Sequence, residues 1–381
     1  MRPPPPRLRP YRVFFPLAAI GGGASVVGIA AARSGLVPIP AMGDAALHGH
    51  EMLHGAFAAA FAGVVLTALP RWTGRSAPTP STLLALAGLW AAARVAAWAA
   101  PWGGAGATTA VLALAALQVG ATAAVIGAAI LAAGDRRDAI VPLLLLVMAG
   151  ADALAALGLL APETALRVVF AAALGLAALI GGRVAPALTR HWAESRGRPL
   201  GPLVSRRVEI AVAISSAAAL TGLVLAPESR ATAGLAIVAA LAGLTRLAGW
   251  RGSACLGHPS LLALHVGSAF LPLGYFAWAA GVASGDPRLF DLARHAFGAG
   301  VFGVMCVAVQ TSVVRRHDGR PLSRDGFGDA AVILVLLAAL LRLAAPFSDD
   351  PLEPARLAAL AWIGGHAALL AAVARGWWSG R

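Results

Sequence analysis

The sequence predicts an all-α fold, a polytopic membrane bundle of about twelve transmembrane helices, and three observations predict it. Of 381 residues, 59% are hydrophobic and only 12% charged, with a mean hydropathy of +0.77; a soluble domain is roughly 45–50% apolar and about 25% charged. Apolar runs of roughly 20 residues, enough to cross a bilayer core, recur along the whole chain. Charge collects in the short stretches between those runs. This composition excludes a soluble globular protein and makes the lipid bilayer the partner of most of the surface.

Residues 1–12, MRPPPPRLRPYR, are Pro-rich and basic and lack the small-residue cleavage site of a signal peptide, so they read as a retained cytoplasmic tail. Residues 13–381 read as one transmembrane domain. Within it apolar runs predict helices over 13–32, 45–69, 82–100, 107–133, 139–160 and 165–187. They continue over 208–226, 231–249, 260–283, 289–313, 329–345 and 355–374, each bounded by Gly, Pro or charge. Asp44 is placed to cap the second helix. Pro272 and Gly274 imply a local distortion in the ninth. No internal repeat is evident.

All 30 basic residues are Arg, against 17 acidic ones, for a formal charge of +13. A basic total invites nucleic acid, but here the arginines sit in alternate short loops, where they orient helices rather than form a binding face. Arg2, Arg7, Arg9 and Arg12, then Arg71/Arg75, Arg136/Arg137, the group Arg190 to Arg207, Arg251, and Arg315 to Arg324 all fall on one side. The opposite loops carry Asp44, Glu163, Glu228, Asp286, Asp349, Asp350 and Glu353. The positive-inside rule then puts both termini in the cytoplasm. Two cysteines, Cys255 and Cys306, provide neither a disulfide framework nor a CxxC motif, so a metal site must draw on His, Met or carboxylates.

The densest polar cluster is LHGHEMLHG at 47–55, with His48, His50, Glu51 and His54 at the outer end of the second helix. His50 and His54 share a helical face and Glu51 lies within a turn of both, so two imidazoles and a carboxylate can serve one centre. Ionisable groups are costly inside a membrane and mark function there; a hydrated polar helix end is the plain alternative. The same letters spell HExxH, the zinc-protease helix, whose third ligand would have to be Asp318, at the opposite membrane face by the charge rule.

His295 opens ARHAFGAGVFGVMC, where Gly298, Gly300 and Gly303 leave one helix face nearly bare, fit to seat a neighbouring helix or a flat macrocycle. His265 lies within the ninth helix, and His366 stands alone in an Ala-rich twelfth helix and reads as structural. Arg94 and Arg342 lie inside apolar runs, Arg183 and Arg246 at helix ends; the first two need a carboxylate or anionic ligand, with Asp152 one partner. Snorkelling accounts for those near the ends.

Together these stretches resemble the NnrS family, polytopic bacterial proteins described as containing haem and copper and associated with nitric oxide and denitrification. The resemblance spans nearly the whole chain. It rests on HGHEMLHGAFAAAFAGVVLTALPRWTGR, on GGRVAPALT at 181–189, on Arg246 to Trp250, on His265 with LPLGY, and on His295 through His317, Asp318, Gly319 and Arg320 in order. The chain departs from the family pattern at Leu47, His54, Val309, Gln310, Ser312 and Asp318.

The resemblance implies an inner-membrane protein of the nitric oxide stress or denitrification response that binds haem and, as a second group, copper. Nitric oxide or a related small molecule would be its partner. His50 and His295 are expected as axial haem ligands, with His48 the fallback: both helices run inward, so the two histidines lie at similar depth, about 9 Å below each helix start at 1.5 Å per residue. Arg183 or Arg246 is expected to hold an anionic group such as a haem propionate. His50, Glu51, His54, His265 and His295 are the candidate metal ligands, His265 suiting a separate metal. The competing classes are a secondary transporter or channel, the shape of a many-helix bundle with internal Arg and Asp, and the intramembrane zinc protease.

Overall fold

The computed structural model describes residues 8–104, 106–134, 137–201, 203–319 and 325–378, the side chains of 376–378 excepted. Arg2 and Arg7 of the tail, and Arg136, Arg320 and Arg324, fall outside them.

The described residues form twelve main helices and no strand. They are α1 (Pro10–Arg33), α2 (Asp44–Thr73), α3 (Pro80–Trp102), α4 (Ala107–Ala133), α5 (Ile140–Ala156) and α6 (Pro162–Ser195). Then come α7 (Arg206–Leu225), α8 (Arg230–Gly249), α9 (Pro259–Ser284), α10 (Pro287–His317), α11 (Gly326–Phe347) and α12 (Leu352–Trp378). Eleven are long and apolar enough to cross a membrane, and α5 is a shorter apolar helix of 17 residues. The chain is an all-α multi-pass membrane protein.

Caps set the ends where the sequence offers them. Thr79, Ser205 and Ser229 each accept the N–H three residues on, satisfying a donor that the first turn leaves open. Gly74, Gly134 and Gly285 take the left-handed conformation that ends α2, α4 and α9. Gly43, not Asp44, caps α2; Asp44 is the first helical residue and pairs with Arg33 at 2.8 Å. Helix α5 stops earlier than its apolar run, because Gly158 turns left-handed and the chain folds back on Ala155 and Leu154 carbonyls. Helix α6 runs past its apolar run through Thr189 to Ser195: hydropathy marks where a helix meets lipid, not where its hydrogen bonding ends. Helix α9 continues through Pro272.

Contacts divide the chain into two compact units, 1–173 and 174–381. In the first, α1 and α2 meet at their glycines: a Cβ at Gly21 would lie 2.6 Å from the Gly55 backbone, and one at Gly63 2.6 Å from the Phe15 ring. Trp90 of α3 donates its indole N–H to the Gly55 carbonyl at 2.9 Å. In the second, Gly267 of α9 seats Met305, Gly274 seats Phe297, and Gly300 and Gly303 of α10 receive the rings of Phe270 and Trp362. Lipid is as apolar as leucine, so close packing rather than water exclusion holds such helices together. The bare face of α10 is thus occupied by rings at Gly300 and Gly303, while nothing lies within 4 Å of a Cβ at Gly298.

Two helices change gauge midway. Residues Glu51–Phe57 of α2 and Ala296–Met305 of α10 are π-helical, a rare form that is frequent at functional sites. Each begins directly after a histidine singled out above, His50 and His295.

Candidate functional site

In the first unit, the wide π-turn of α2 stacks His50 on His54, with ring centroids 4.4 Å apart and planes tilted by 40°. His50 Nδ1 lies 3.2 Å from Glu51 Oε1, and the other carboxylate oxygen of Glu51 lies 3.0 Å from Arg94 Nε of α3. Gln118 of α4 joins them: its amide accepts from Arg94 Nη1 at 3.4 Å and donates to the His54 carbonyl at 3.0 Å. His54 Nε2 lies 3.1 Å from Asp152 Oδ2 of α5. Four helices therefore converge on one buried polar cluster, every member of which is at most 5% exposed.

The tautomer is assigned from the contacts. A carboxylate paired with the Arg94 guanidinium only accepts hydrogen bonds, so the 3.2 Å contact to Glu51 assigns the hydrogen to His50 Nδ1. The lone pair of His50 then sits on Nε2, which is buried without a hydrogen-bond partner. A carboxylate behind one ring nitrogen with the other left bare is the usual state of a metal-ligating histidine. Both ring nitrogens of His54, Arg94 Nη2 and Asp152 Oδ2 also lack a well-formed hydrogen bond. His48 lies at the rim of the cluster, its Nδ1 3.0 Å from Ser25 Oγ of α1. Beside it a pocket of about 60 Å³ opens between α1, α2 and α3, lined by Ser25, Gly28, Asp44, His48, Glu51 and Trp98 among others.

The remaining candidates belong to the second unit. His295 is partly buried, and its Nδ1 donates to the Asp291 carbonyl at 2.9 Å with the Asp291 carboxylate 3.3 Å away. Arg342 of α11 grips that carboxylate with both terminal nitrogens, at 2.9 and 3.3 Å. With Nδ1 engaged by Asp291, Nε2 is the ring nitrogen left for a ligand, as in His50. Arg246 is buried, with its guanidinium carbon 5.0 Å over the Trp250 ring and Nη1 3.6 Å from the half-exposed Glu209. A Cβ at Gly182 would lie 2.9 Å from that Nη1, so a side chain there would push the guanidinium aside. Arg183 is exposed. His265 Nε2 faces Thr189 Oγ1 at 2.8 Å and Cys255 Sγ at 3.9 Å. His366 donates Nδ1 to the Trp362 carbonyl and stacks on that indole, with no ion pair to a carboxylate among the described residues.

The structure brings together His50, Glu51 and His54, with His48 at their edge, and keeps them in a different unit from His265, His295, Arg183 and Arg246. Arg94 and Arg342 do meet carboxylates, but the partners are Glu51 and Asp291; Asp152 serves His54 instead. Among the described residues no group of three or more His, Cys, Asp or Glu is arranged to hold a metal ion, so the HExxH pair finds no third ligand there. Gln118 and Asp291 escape sequence reasoning. Gln118 leaves a faint signal as the one amide in the apolar run of α4; Asp291 reads as an ordinary polar residue in a helix's first turns.

Compared with known proteins, residues 7–381 match the family model described as NnrS protein. No curated protein matches the chain.

Proposed function

The chain belongs to the NnrS family, and on that premise we propose that it is a haem-binding protein of the bacterial inner membrane that binds or processes nitric oxide in the nitrosative-stress or denitrification response. The observation that carries this reading is His50. Its Nε2 lone pair is buried inside a membrane helix with no hydrogen-bond partner, and Glu51 fixes its tautomer from behind. Leaving such an atom empty is costly; an iron ligand removes the cost.

In this reading the residues that would hold haem iron are His50 in the first unit, with His48 the alternative on α2, and His295 in the second, and Arg183 or Arg246 would hold an anionic group such as a haem propionate. When bound, haem would supply an iron able to coordinate nitric oxide. The chain's own residues do the rest. Glu51, braced by Arg94, keeps a hydrogen on His50 Nδ1 and makes Nε2 a stronger donor. Asp291, braced by Arg342, does the same for His295. The pocket beside His48 and Glu51 is narrow and lined mostly by apolar side chains, suited to a small uncharged molecule. Copper is the second group proposed for the family fold.

The visible spectrum and metal content of the detergent-purified protein test the reading. Haem absorption is expected, and His50→Ala or His295→Ala should abolish or convert it, whereas His366→Ala should leave it intact. Replacing Arg183 or Arg246 by Gln should weaken haem retention. A colourless, metal-free protein from haem-replete cells overturns the proposal in favour of a secondary transporter, a reading to which the buried Glu51, Arg94 and Asp152 also lend themselves.

A further inference from the structure

Away from the histidines of α2 and α10, the second unit holds a small buried cluster of soft and borderline donors. A single 3-10 turn, Gly252–Cys255, links α8 to α9 and points the Cys255 thiol inward, where it is fully buried. Arg251, which starts that turn, has φ of 54°, and is the one non-glycine residue with positive φ among those described. Cys255 Sγ lies 3.6 Å from Thr189 Oγ1 of α6 and 3.9 Å from His265 Nε2 of α9, and the latter two atoms are 2.8 Å apart. Thr189 is 1% exposed and His265 6%.

We infer that Cys255, His265 and Thr189 form a binding site for a single soft monovalent cation, copper(I) in the cell, with sulfur and Nε2 as ligands and the Thr189 oxygen alongside. Three arguments carry it. The first is reach. Bonds of roughly 2.3 Å to sulfur and 2.0 Å to nitrogen, the lengths zinc makes, span about 4.3 Å in a straight line, so an ion of similar size fits the observed 3.9 Å gap with a bent S–metal–N angle and little movement of either side chain. The second is convergence. Thr189 donates its one hydroxyl hydrogen to the Ala185 carbonyl at 2.8 Å, which leaves its oxygen lone pairs for the cluster, so three donor atoms, Cys255 Sγ, His265 Nε2 and Thr189 Oγ1, lie within 3.9 Å of one another.

The third is charge. A thiolate, a neutral imidazole and a monovalent ion sum to zero, which a buried site tolerates. A divalent ion would leave a net positive charge in a region where the Arg246 guanidinium already stacks on Trp250, whose ring lies edge-on to His265 at 6.0 Å. Thiolate is among the soft ligands that favour copper(I), and imidazole suits copper as well. On binding, the metal–sulfur bond replaces the S–H bond and that proton leaves to solvent. His265 moves its hydrogen from Nε2 to Nδ1, and no electron is transferred. Gly252 makes room for the ring: a Cβ there would lie 2.9 Å from His265 Cγ and Nδ1.

The inference shares with the functional reading only the expectation of copper and uses none of its haem ligands. The test is anaerobic titration of the full-length, haem-loaded protein with copper(I) against a chromophoric chelator, with X-ray absorption at the copper edge and the haem spectrum recorded on the same samples. One equivalent with a copper–sulfur bond is expected. Cys255→Ser should remove that sulfur and weaken binding at least tenfold, His265→Ala should weaken it comparably, and Cys306→Ser should change neither. Thr189→Val, a near-isosteric change, guards against misfolding: it should keep the copper–sulfur bond. Absence of tight copper(I) in the parent protein, or unchanged binding in both Cys255→Ser and His265→Ala, overturns the site. Haem spectra report separately on the functional reading, so either proposal can fail alone.

Discussion

Glu51 touches His50 with one carboxylate oxygen and Arg94 with the other, and both neighbours are buried. Removing its charge strands a guanidinium in an interior that cannot solvate it. Glu51→Gln should therefore cost about 3–5 kcal/mol, the range for breaking a buried pair from one side, seen as a lower thermal midpoint in detergent. The double variant Glu51→Gln with Arg94→Met should recover much of that loss, since it removes both charges; an additive double variant would mean the pair is not coupled. At the exposed end of α10 the balance is different. Asp286 caps the helix and is gripped by Arg288, whose hydrogen bonds hold its carboxyl below the usual carboxylate range. A depressed pKa stabilises the folded state above the unfolded value near 3.8 and loses that contribution as pH falls through the lower folded value. The cap should thus be intact from neutral pH down to mildly acid solution, and carbon-detected titration of Asp286 should give a midpoint below 3.8; a midpoint at or above 3.8 would contradict the fork.

Among elements, α10 shows how one helix face divides into packed and open stretches. A Cβ at Gly300 would run into the Phe270 ring and one at Gly303 would lie 2.6 Å from Trp362, whereas Gly298 has open space. Gly300→Ala should destabilise by roughly 1–3 kcal/mol through overpacking. Gly298→Ala should be neutral or slightly stabilising, because alanine is the better helix former. Equal thermal shifts for the two would show that neither face is packed as described. The glycines of α10 were visible in sequence, but which of them met a ring was not, because Phe270 and Trp362 come from helices far along the chain. The π-turns of α2 and α10 were equally hidden: the residues of HEMLHGAF and AFGAGVFGVM carry no signal for five-residue hydrogen bonding, which arises when packing makes a helix accept one extra residue.

At the scale of the whole molecule, the twelve helices among the described residues agree with the count of apolar runs, and eleven of them are long and apolar enough to span a membrane. We propose that the shorter α5 crosses as well, so that both termini lie on one side, and that this side is the cytoplasm, from the arginines that mark alternate loops. Reporter fusions at both ends should be active only in cytoplasm-compatible form; an outward C-terminus would mean an odd number of crossings. The sequence by itself determined the all-α membrane fold, the helix count and the family, because hydropathy and ordered motifs are local properties of the chain. It also singled out His50, Glu51, His54, Arg94 and Asp152, since an ionisable group in an apolar run is conspicuous wherever it pairs. Only the tertiary structure decided the pairing: Glu51 with Arg94, His54 with Asp152, Asp291 with Arg342, and Cys255 against Thr189 and His265. Such partners lie on different helices, tens of residues apart, and helix packing alone sets which buried charge another can reach.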